Sequence, residues 1–184
     1  MKLVLATQNP KKLKEMNEIL SHLGVEVVSE AELGVRIEVE ETGETFTDNA
    51  RLKATAVMQA TGLPAVADDS GLCVDALNGG PGVYSARFGG EGLDDKGRYT
   101  LLLEMLRGQT DRAAHFHTSI VCAFPNGDEL VCEGECPGTI AFAPMGEGGF
   151  GYDPVFFVPE LRKTFGQLTA EEKASVSHRG KALR

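Results

Sequence analysis

Apolar positions in this chain follow two periods that alternate along its first two thirds. Lys2–Thr7, through its apolar run Leu3–Ala6, predicts a buried first strand. Pro10 then stands where a first helical turn tolerates it, and Leu13, Met16, Leu20 and Leu23 recur at helical spacing. Together they predict a β-loop-α unit with its loop at Thr7-Gln8-Asn9. Val25–Ser29 and Val35–Glu40 read as strands. A second helix is expected from about Thr47 to Ala60, with Ala50, Ala54, Val57 and Met58 inward, ended by Gly62-Leu63-Pro64. Ala65–Ala67 reads as a short strand delivering Asp68-Asp69-Ser70-Gly71 at its end, with Leu72–Ala76 continuing extended. Leu101–Leu106 belongs to a third helix. His115–Phe124 alternates, with Phe116, Thr118, Ile120, Cys122 and Phe124 on one face, and the Asn-Gly of Pro125-Asn126-Gly127-Asp128 marks a hairpin turn. Leu130–Glu135, Thr139–Ala143 and Val155–Val158 add strands, and Thr169 with Glu172 forms a capping box at the last helix. Helices interleaved with strands early and a hairpin later predict an α/β fold with a mixed central sheet and flanking helices. No linker or repeat divides the chain, so residues 1–184 read as one domain.

Charge changes this picture by excluding partners. The 184 residues hold 27 acidic and 18 basic side chains, a formal net charge of −9, which argues against a coat for nucleic acid or an anionic membrane. The charge is split: residues 1–20 hold four basic and two acidic groups, residues 162–184 hold six and two, and the stretch between holds eight and 23. A polyanionic ligand therefore has to find a local basic site, and the two ends are where the cations lie. No apolar run approaches the roughly 18 residues of a membrane helix, and Met1–Ala6 is short for a signal peptide, so a cytoplasmic location is expected. Cys73, Cys122, Cys132 and Cys136 contain no C-x-x-C pair and read as reduced, mostly buried thiols. A zinc site joining Cys132 and Cys136 to His115 and His117 fits no established spacing.

Four segments carry candidate chemistry. Thr7-Gln8-Asn9-Pro10-Lys11-Lys12 sets hydroxyl, amide and ammonium groups where a strand enters a helix N-terminus, a place that favours phosphate; equally, Asn9 caps the helix and the lysines are solvated. It is no Walker A loop, and the Gly180-Lys181 pair is followed by Ala182. Asp68 and Asp69, with Glu38, Glu40 and Glu41, bring carboxylates toward one spot, as Mg²⁺ or a shared proton requires; the alternative is a solvated acidic turn. In a strand the two aspartates point to opposite faces. Gly146–Pro154 has the spacing of a dinucleotide fingerprint without its strand-to-helix context, so the Rossmann reading is rejected. Its glycines around Phe150 and Tyr152 suit a flat ligand such as a nucleobase, or a turn anchored in the core. Ser177-His178-Arg179-Gly180-Lys181, with Lys173 one turn earlier, offers donors to carbonyl oxygens or is a solvated basic tail.

Taken in order, Thr7-Gln8-Asn9 with Lys12, Glu40–Phe46 with Asn49-Ala50 and Lys53, Ala67–Leu72, Pro81–Arg87, Gly148–Pro154 and Ser177–Gly180 resemble the inosine triphosphate pyrophosphatase family. The likeness runs from residue 3 to residue 183. It implies Mg²⁺-dependent hydrolysis of non-standard purine nucleoside triphosphates (ITP, dITP, XTP) to the monophosphate and pyrophosphate, on an elongated two-lobed molecule with a central nucleotide cleft, usually a homodimer. By motif, Thr7, Gln8, Asn9, Pro10, Lys11 and Lys12 hold phosphates, with Lys53 a further phosphate contact. Asp69 is the general base and a metal ligand, Ser70 contacts substrate, and Glu40 is the second metal carboxylate, with Glu41 adjacent. Phe150, Gly151, Tyr152, Asp153, Lys173, His178 and Arg179 line the nucleoside pocket, His178 and Arg179 reading the 6-oxo edge and Phe150 stacking on the ring. Two other readings remain open at this point: a hydrolase of pyrimidine triphosphates, and a nucleotide sensor without turnover.

Overall fold

The computed structural model describes residues 2–7 and 9–182, and of Arg179 the backbone alone. Its elements are β1 (Lys2–Leu5), α1 (Pro10–Ser21), β2 (Glu26–Ser29), α2 (Phe46–Thr61), β3 (Ala65–Val74), β4 (Gly80–Pro81), α3 (Asp95–Met105), β5 (Ala113–Ala123), β6 (Glu129–Ile140), β7 (Phe156–Val158), β8 (Lys163–Thr164), α4 (Ala170–Val176) and α5 (His178–Ala182), with short 3₁₀ turns between. Strand order in the sheet is β2-β1-β3-β5-β6-β7-β8, with β4 on β3. β1 pairs in parallel with β2 and β3, whereas β4 on β3, β7 on β6 and β8 on β7 are antiparallel. The mixed α/β sheet expected from the pattern is thus observed. At the β5–β6 hairpin the Phe124 amide donates to the Asp128 carbonyl at 3.0 Å, and Gly127 takes the positive φ of 94° that the Asn-Gly turn demands.

The chain forms two compact units. The first comprises residues up to Asp69, Thr118–Gly134 and the chain from Arg179 on; the second comprises Ser70–His117 and Glu135–His178. In the first unit the strands are covered on both faces. Met16 and Leu20 of α1 pack with Leu5, Val66 and Ile120, while Ala50, Ala54 and Val57 of α2 pack with Val4, Ala65, Ala67 and Val121. Neighbouring strand residues go to opposite cores, which is why these strands read as continuous apolar runs rather than alternations. The second unit is built on Leu72, Leu102, Leu106, Ile140, Phe156 and Phe165. Arg112 is buried beside them because its guanidinium donates to the carbonyls of Leu106, Ile140 and Ala141 at 3.1, 2.8 and 2.9 Å.

Four expectations need correction. Val35–Glu40 forms no strand: its burial alternates, but the Ile37 amide donates to the buried Glu30 carboxylate at 3.1 Å instead of to a neighbouring strand. Asp68 and Asp69 do not end a strand but lie inside the ten-residue β3. Leu130–Glu135 and Thr139–Ala143 are not separate; β6 runs unbroken from Glu129 to Ile140. The helix α1 stops at Ser21, leaving Leu23 60 % exposed. The second helix, the third and the one read as last, α4, occur where expected, α4 with the Thr169/Glu172 capping box in place; α3 starts six residues earlier than its apolar stretch, and a further short helix, α5, follows α4. All four cysteines are free thiols, and burial pushes Cys73 and Cys122 up to about 11. Among the described residues no helix is long and apolar enough to cross a membrane.

Candidate functional site

Residues of interest gather in two groups, one in each unit. In the first unit the alternation of β3 sends Asp68 toward α1 and Asp69 toward α2. Lys12 of α1 approaches the Asp68 carboxylate at 3.6 Å. On α2, Asn49 and Lys53 are four residues apart and so share a face. Asn49 Nδ2 donates to Asp69 Oδ2 at 3.2 Å, and Lys53 Nζ donates to the Asp68 carbonyl at 2.6 Å while lying 4.0 Å from Asp69 Oδ1. Lys53 also pairs with Glu41 at 3.1 Å. Asn49 Oδ1 accepts from the Gly43 amide at 2.7 Å, and a Cβ on Gly43 would stand 2.6 Å from Asp48 Cβ, so only glycine allows this approach. Glu40, named from sequence as the second carboxylate, is exposed, and its neighbour Glu41 is the one brought to Lys53.

Burial raises the Asp69 carboxyl above its ordinary range, to about 6; Lys53 opposes the rise, Glu41 adds to it, and Asn49 and Lys12 oppose it. The folded protein therefore holds this proton more tightly than the unfolded chain does. The resulting stability is fully present below pH about 4 and is lost as pH rises through about 6. In protein freed of divalent cations, the stability of the wild type relative to Asp69→Asn is expected to fall between pH 4 and 7 by on the order of 2 kcal/mol. Urea unfolding across that range measures it, and a flat difference would contradict the burial argument.

At the start of α1, Asn9 caps the helix, its side chain accepting from the Lys11 and Lys12 amides at 3.0 and 3.3 Å. Thr7 Oγ1 accepts from the Asn9 amide at 3.2 Å, and Pro10 occupies the first turn. Lys11 is exposed, whereas Lys12 turns inward to Asp68. Gln8 lies outside the described residues.

The second group is built on the turn Gly149–Asp153. Asp153 is buried and its Oδ2 accepts from the Phe150 amide at 3.0 Å and from Lys173 Nζ at 2.7 Å. Gly149 has φ of 70°, and a Cβ there would collide with the Asp153 carboxylate. Lys173 Nζ sits 4.7 Å from the centre of the Phe150 ring and 5.7 Å from that of Phe165. Tyr152 is a core residue: its ring is buried, and its hydroxyl donates to the Ser85 carbonyl at 2.6 Å, while burial pushes its pKa above the ordinary phenol range. Ser85 Oγ in turn accepts from the Leu72 amide at 2.9 Å, which gives the Pro81–Arg87 motif its structural purpose. His178 is buried, not part of a solvated tail; its ring stacks on Phe116 at 4.8 Å and lies parallel to Phe165 at 6.4 Å. Ser70 is half-buried in β3, and the Arg179 side chain lies outside what is described.

The resemblance puts Lys12, Lys53 and Asp69 at the phosphates and Phe150, Asp153 and Lys173 at the nucleoside, and each of these trios lies together in the structure. It gave no role to Asn49 itself, although the i, i+4 spacing to Lys53 was a readable signal. Phe116 and Phe165 were missed because nothing local distinguishes an aromatic under a site from any core aromatic. The zinc combination finds its histidines turned to a carboxylate instead, His117 at 3.0 Å and His115 at 3.9 Å from Glu135.

A profile of the Ham1 family matches residues 3–184. A dITP/XTP pyrophosphatase of Exiguobacterium sp. is 52 % identical over 184 residues, spanning all of this chain and 94 % of that protein. A dITP/XTP pyrophosphatase of Desulforamulus reducens is 54 % identical over 186 residues, spanning all of this chain and 92 % of that protein. Among solved structures, the Ham1 protein of Staphylococcus aureus superposes with a TM-score of 0.88 at 43 % identity, and a HAM1 protein of Coxiella burnetii with 0.89 at 44 %; each comparison covers all of this chain and 94 % of the other. The six motif segments therefore sit in a likeness that extends through every element between them, and the chain belongs to the Ham1 family.

Proposed function

We propose that the chain is a nucleoside-triphosphate pyrophosphatase that hydrolyses ITP, dITP and XTP to the monophosphate and pyrophosphate with Mg²⁺. The single observation that carries this reading is Asp69, a buried carboxylate raised to about 6, held by Asn49 and flanked by Lys53 and Glu41. The names of relatives more than half identical over the whole chain support the pyrophosphatase chemistry.

The donor set suits Mg²⁺. Among the described residues no three His, Cys, Asp or Glu side chains gather to enclose a metal, but Mg²⁺ is commonly held by one or two carboxylates plus phosphate oxygens and water. Asp69 and Glu41, both against Lys53, would be those carboxylates, with Glu41 taking the part that the resemblance assigns to Glu40. Bound there, Mg²⁺ supplies charge neutralisation to the triphosphate. Asp69 orients or deprotonates the water that attacks the α-phosphorus in line, with pyrophosphate leaving. Lys12 and Lys53 supply positive charge to the phosphates, and the start of α1, whose Lys11 and Lys12 amides are already engaged by Asn9, adds the positive end of its helix dipole. Asn49 keeps the Asp69 carboxylate in one orientation.

Base selection falls to the second group. Phe150 offers a ring face for stacking, its orientation set by Asp153 and Lys173, and the 6-oxo edge is assigned to His178 and Arg179. A 6-oxo group excludes adenine but not guanine, so discrimination against GTP rests on leaving its 2-amino group without a partner. Pyrophosphate release from ITP, dITP, XTP, GTP, ATP and TTP with Mg²⁺ tests the proposal. ITP, dITP or XTP is expected to exceed GTP in kcat/KM by about tenfold or more. Activity on GTP equal to that on ITP and XTP would overturn it, turnover of TTP alone would favour a pyrimidine hydrolase, and release from none would favour a nucleotide sensor.

A further inference from the structure

The turn that carries Phe150 is tethered at three successive residues. Phe150 donates its amide to Asp153 Oδ2 at 3.0 Å, and Tyr152 is pinned through its hydroxyl to the Ser85 carbonyl at 2.6 Å. Between them Gly151, at a positive φ of 61°, donates its amide to Asp95 Oδ2 at 2.9 Å. Asp153 belongs to the turn itself and the Tyr152 tether ends on a main-chain oxygen. Asp95 is different: a side chain 56 residues away in the chain, on another element, reaches the residue next to Phe150.

Local structure shows why this carboxylate is available. Asp94, one residue earlier, is the N-cap of α3 and accepts from the Gly97 amide at 2.7 Å. The N-cap position is therefore filled without Asp95, which stands in the first turn with its carboxylate on the Gly151 amide. Arg98, one turn further on, donates to the Leu93 and Gly90 carbonyls and so fixes the loop that leads into α3. The entry to this helix is held in place, and Asp95 with it.

We infer that Asp95 is a positioning residue for base recognition: by holding the Gly151 amide it sets the placement of the Phe150 ring against the base. This rests on the proposed reading in which Phe150 receives a purine. A positioning role of this kind is felt in binding and not in the chemical step, because the Phe150 turn takes no part in proton transfer or phosphoryl displacement. It also depends on an acceptor oxygen and not on charge, since a neutral amide oxygen accepts from Gly151 as a carboxylate does.

Those two properties define the test. Steady-state hydrolysis of ITP is measured for the wild type, Asp95→Ala, Asp95→Asn and Asp94→Ala, together with hydrogen exchange of the Phe150–Tyr152 segment. Asp95→Ala is expected to raise KM about fivefold with kcat within about twofold, and to speed exchange of the turn. Asp95→Asn, which keeps the acceptor and loses the charge, is expected to restore both. Asp94→Ala removes the helix cap, so it should lower the unfolding midpoint by about 2–4 °C while leaving KM and the turn's exchange unchanged. An unaltered KM in Asp95→Ala would overturn the role of Asp95, as would an Asp95→Asn protein impaired as much as the alanine variant. Asp95 is exposed, so no variant leaves a buried group unsatisfied, and Asp95→Ser repeats the comparison should the alanine protein fail to fold. Wild-type protein that releases no pyrophosphate from ITP would instead overturn the functional reading, and the base-recognition role with it, whereas an active wild type with an unchanged Asp95→Ala overturns the Asp95 role alone.

Discussion

Asp69→Asn is expected to lower kcat for ITP by about 10³-fold, the range typical of losing a general base, while ITP still binds within a few-fold of the wild type. The substitution is isosteric, and its amide oxygen can still accept from Asn49 Nδ2, so the surrounding contacts survive. Lys53 keeps its bonds to the Asp68 carbonyl and Glu41, and hence its positive charge remains in place for the phosphates. What disappears is the ability to take a proton or to orient water with a full negative charge. Calorimetric titration with ITP in the absence of divalent cations, beside turnover in their presence, separates binding from chemistry. A variant that retains kcat within about tenfold would remove Asp69 from the role of base.

The second large effect is on stability. Lys173 and Asp153 form an ion pair at 2.7 Å with side chains 7 % and 5 % exposed, and the same carboxylate oxygen accepts from the Phe150 amide. Removing one partner leaves a buried charge uncompensated, so Asp153→Ala and Lys173→Met are each expected to cost about 3–5 kcal/mol. The double variant should be milder than the sum of the two, because neither charge is then stranded. Urea unfolding of the four proteins completes the cycle. Single variants that lose less than about 1 kcal/mol, or losses that simply add, would show that the pair is screened by water and does not organise the Phe150 turn.

Much of the fold is written in periodicity. The apolar run at Leu3–Ala6, the helical spacing through α1 and α2, the Asn-Gly hairpin and the Thr169/Glu172 box all lead to the observed elements. Val35–Glu40 failed for a definable reason. Alternation states which side chains face inward, and they do alternate in burial, but it says nothing about whether a neighbouring strand exists to take the backbone bonds; here Glu30 takes the Ile37 amide. Asp68-Asp69-Ser70-Gly71 misled in the opposite direction. Four polar or small residues read locally as a turn, yet β3 stays extended through them, since Lys12, Asn49 and Lys53, distant in sequence, meet the two aspartates.

The candidate site divides along the same line. Its chemistry was legible only from the six motifs taken together, since each segment alone reads equally as a helix cap, an acidic turn, a core-anchored loop or a basic tail. Which of two adjacent glutamates reaches Lys53 was not, since one residue's rotation along the chain is below what any spacing argument resolves. Nor was the burial that raises Asp69 to about 6, which depends on α2 covering that face of β3.

By itself, then, the sequence determined the α/β class, most of the main helices and strands in their order and, through six motifs read together, a set of residue types suited to a nucleoside triphosphate, because each of these is encoded in local pattern or in side-chain chemistry. Only the tertiary structure decided which groups stand within 4.0 Å of one another, Glu41 and Asp69 at Lys53, Asp153 at Lys173 and Asp95 at Gly151. Such meetings join residues from separate elements, and no local preference along the chain records them.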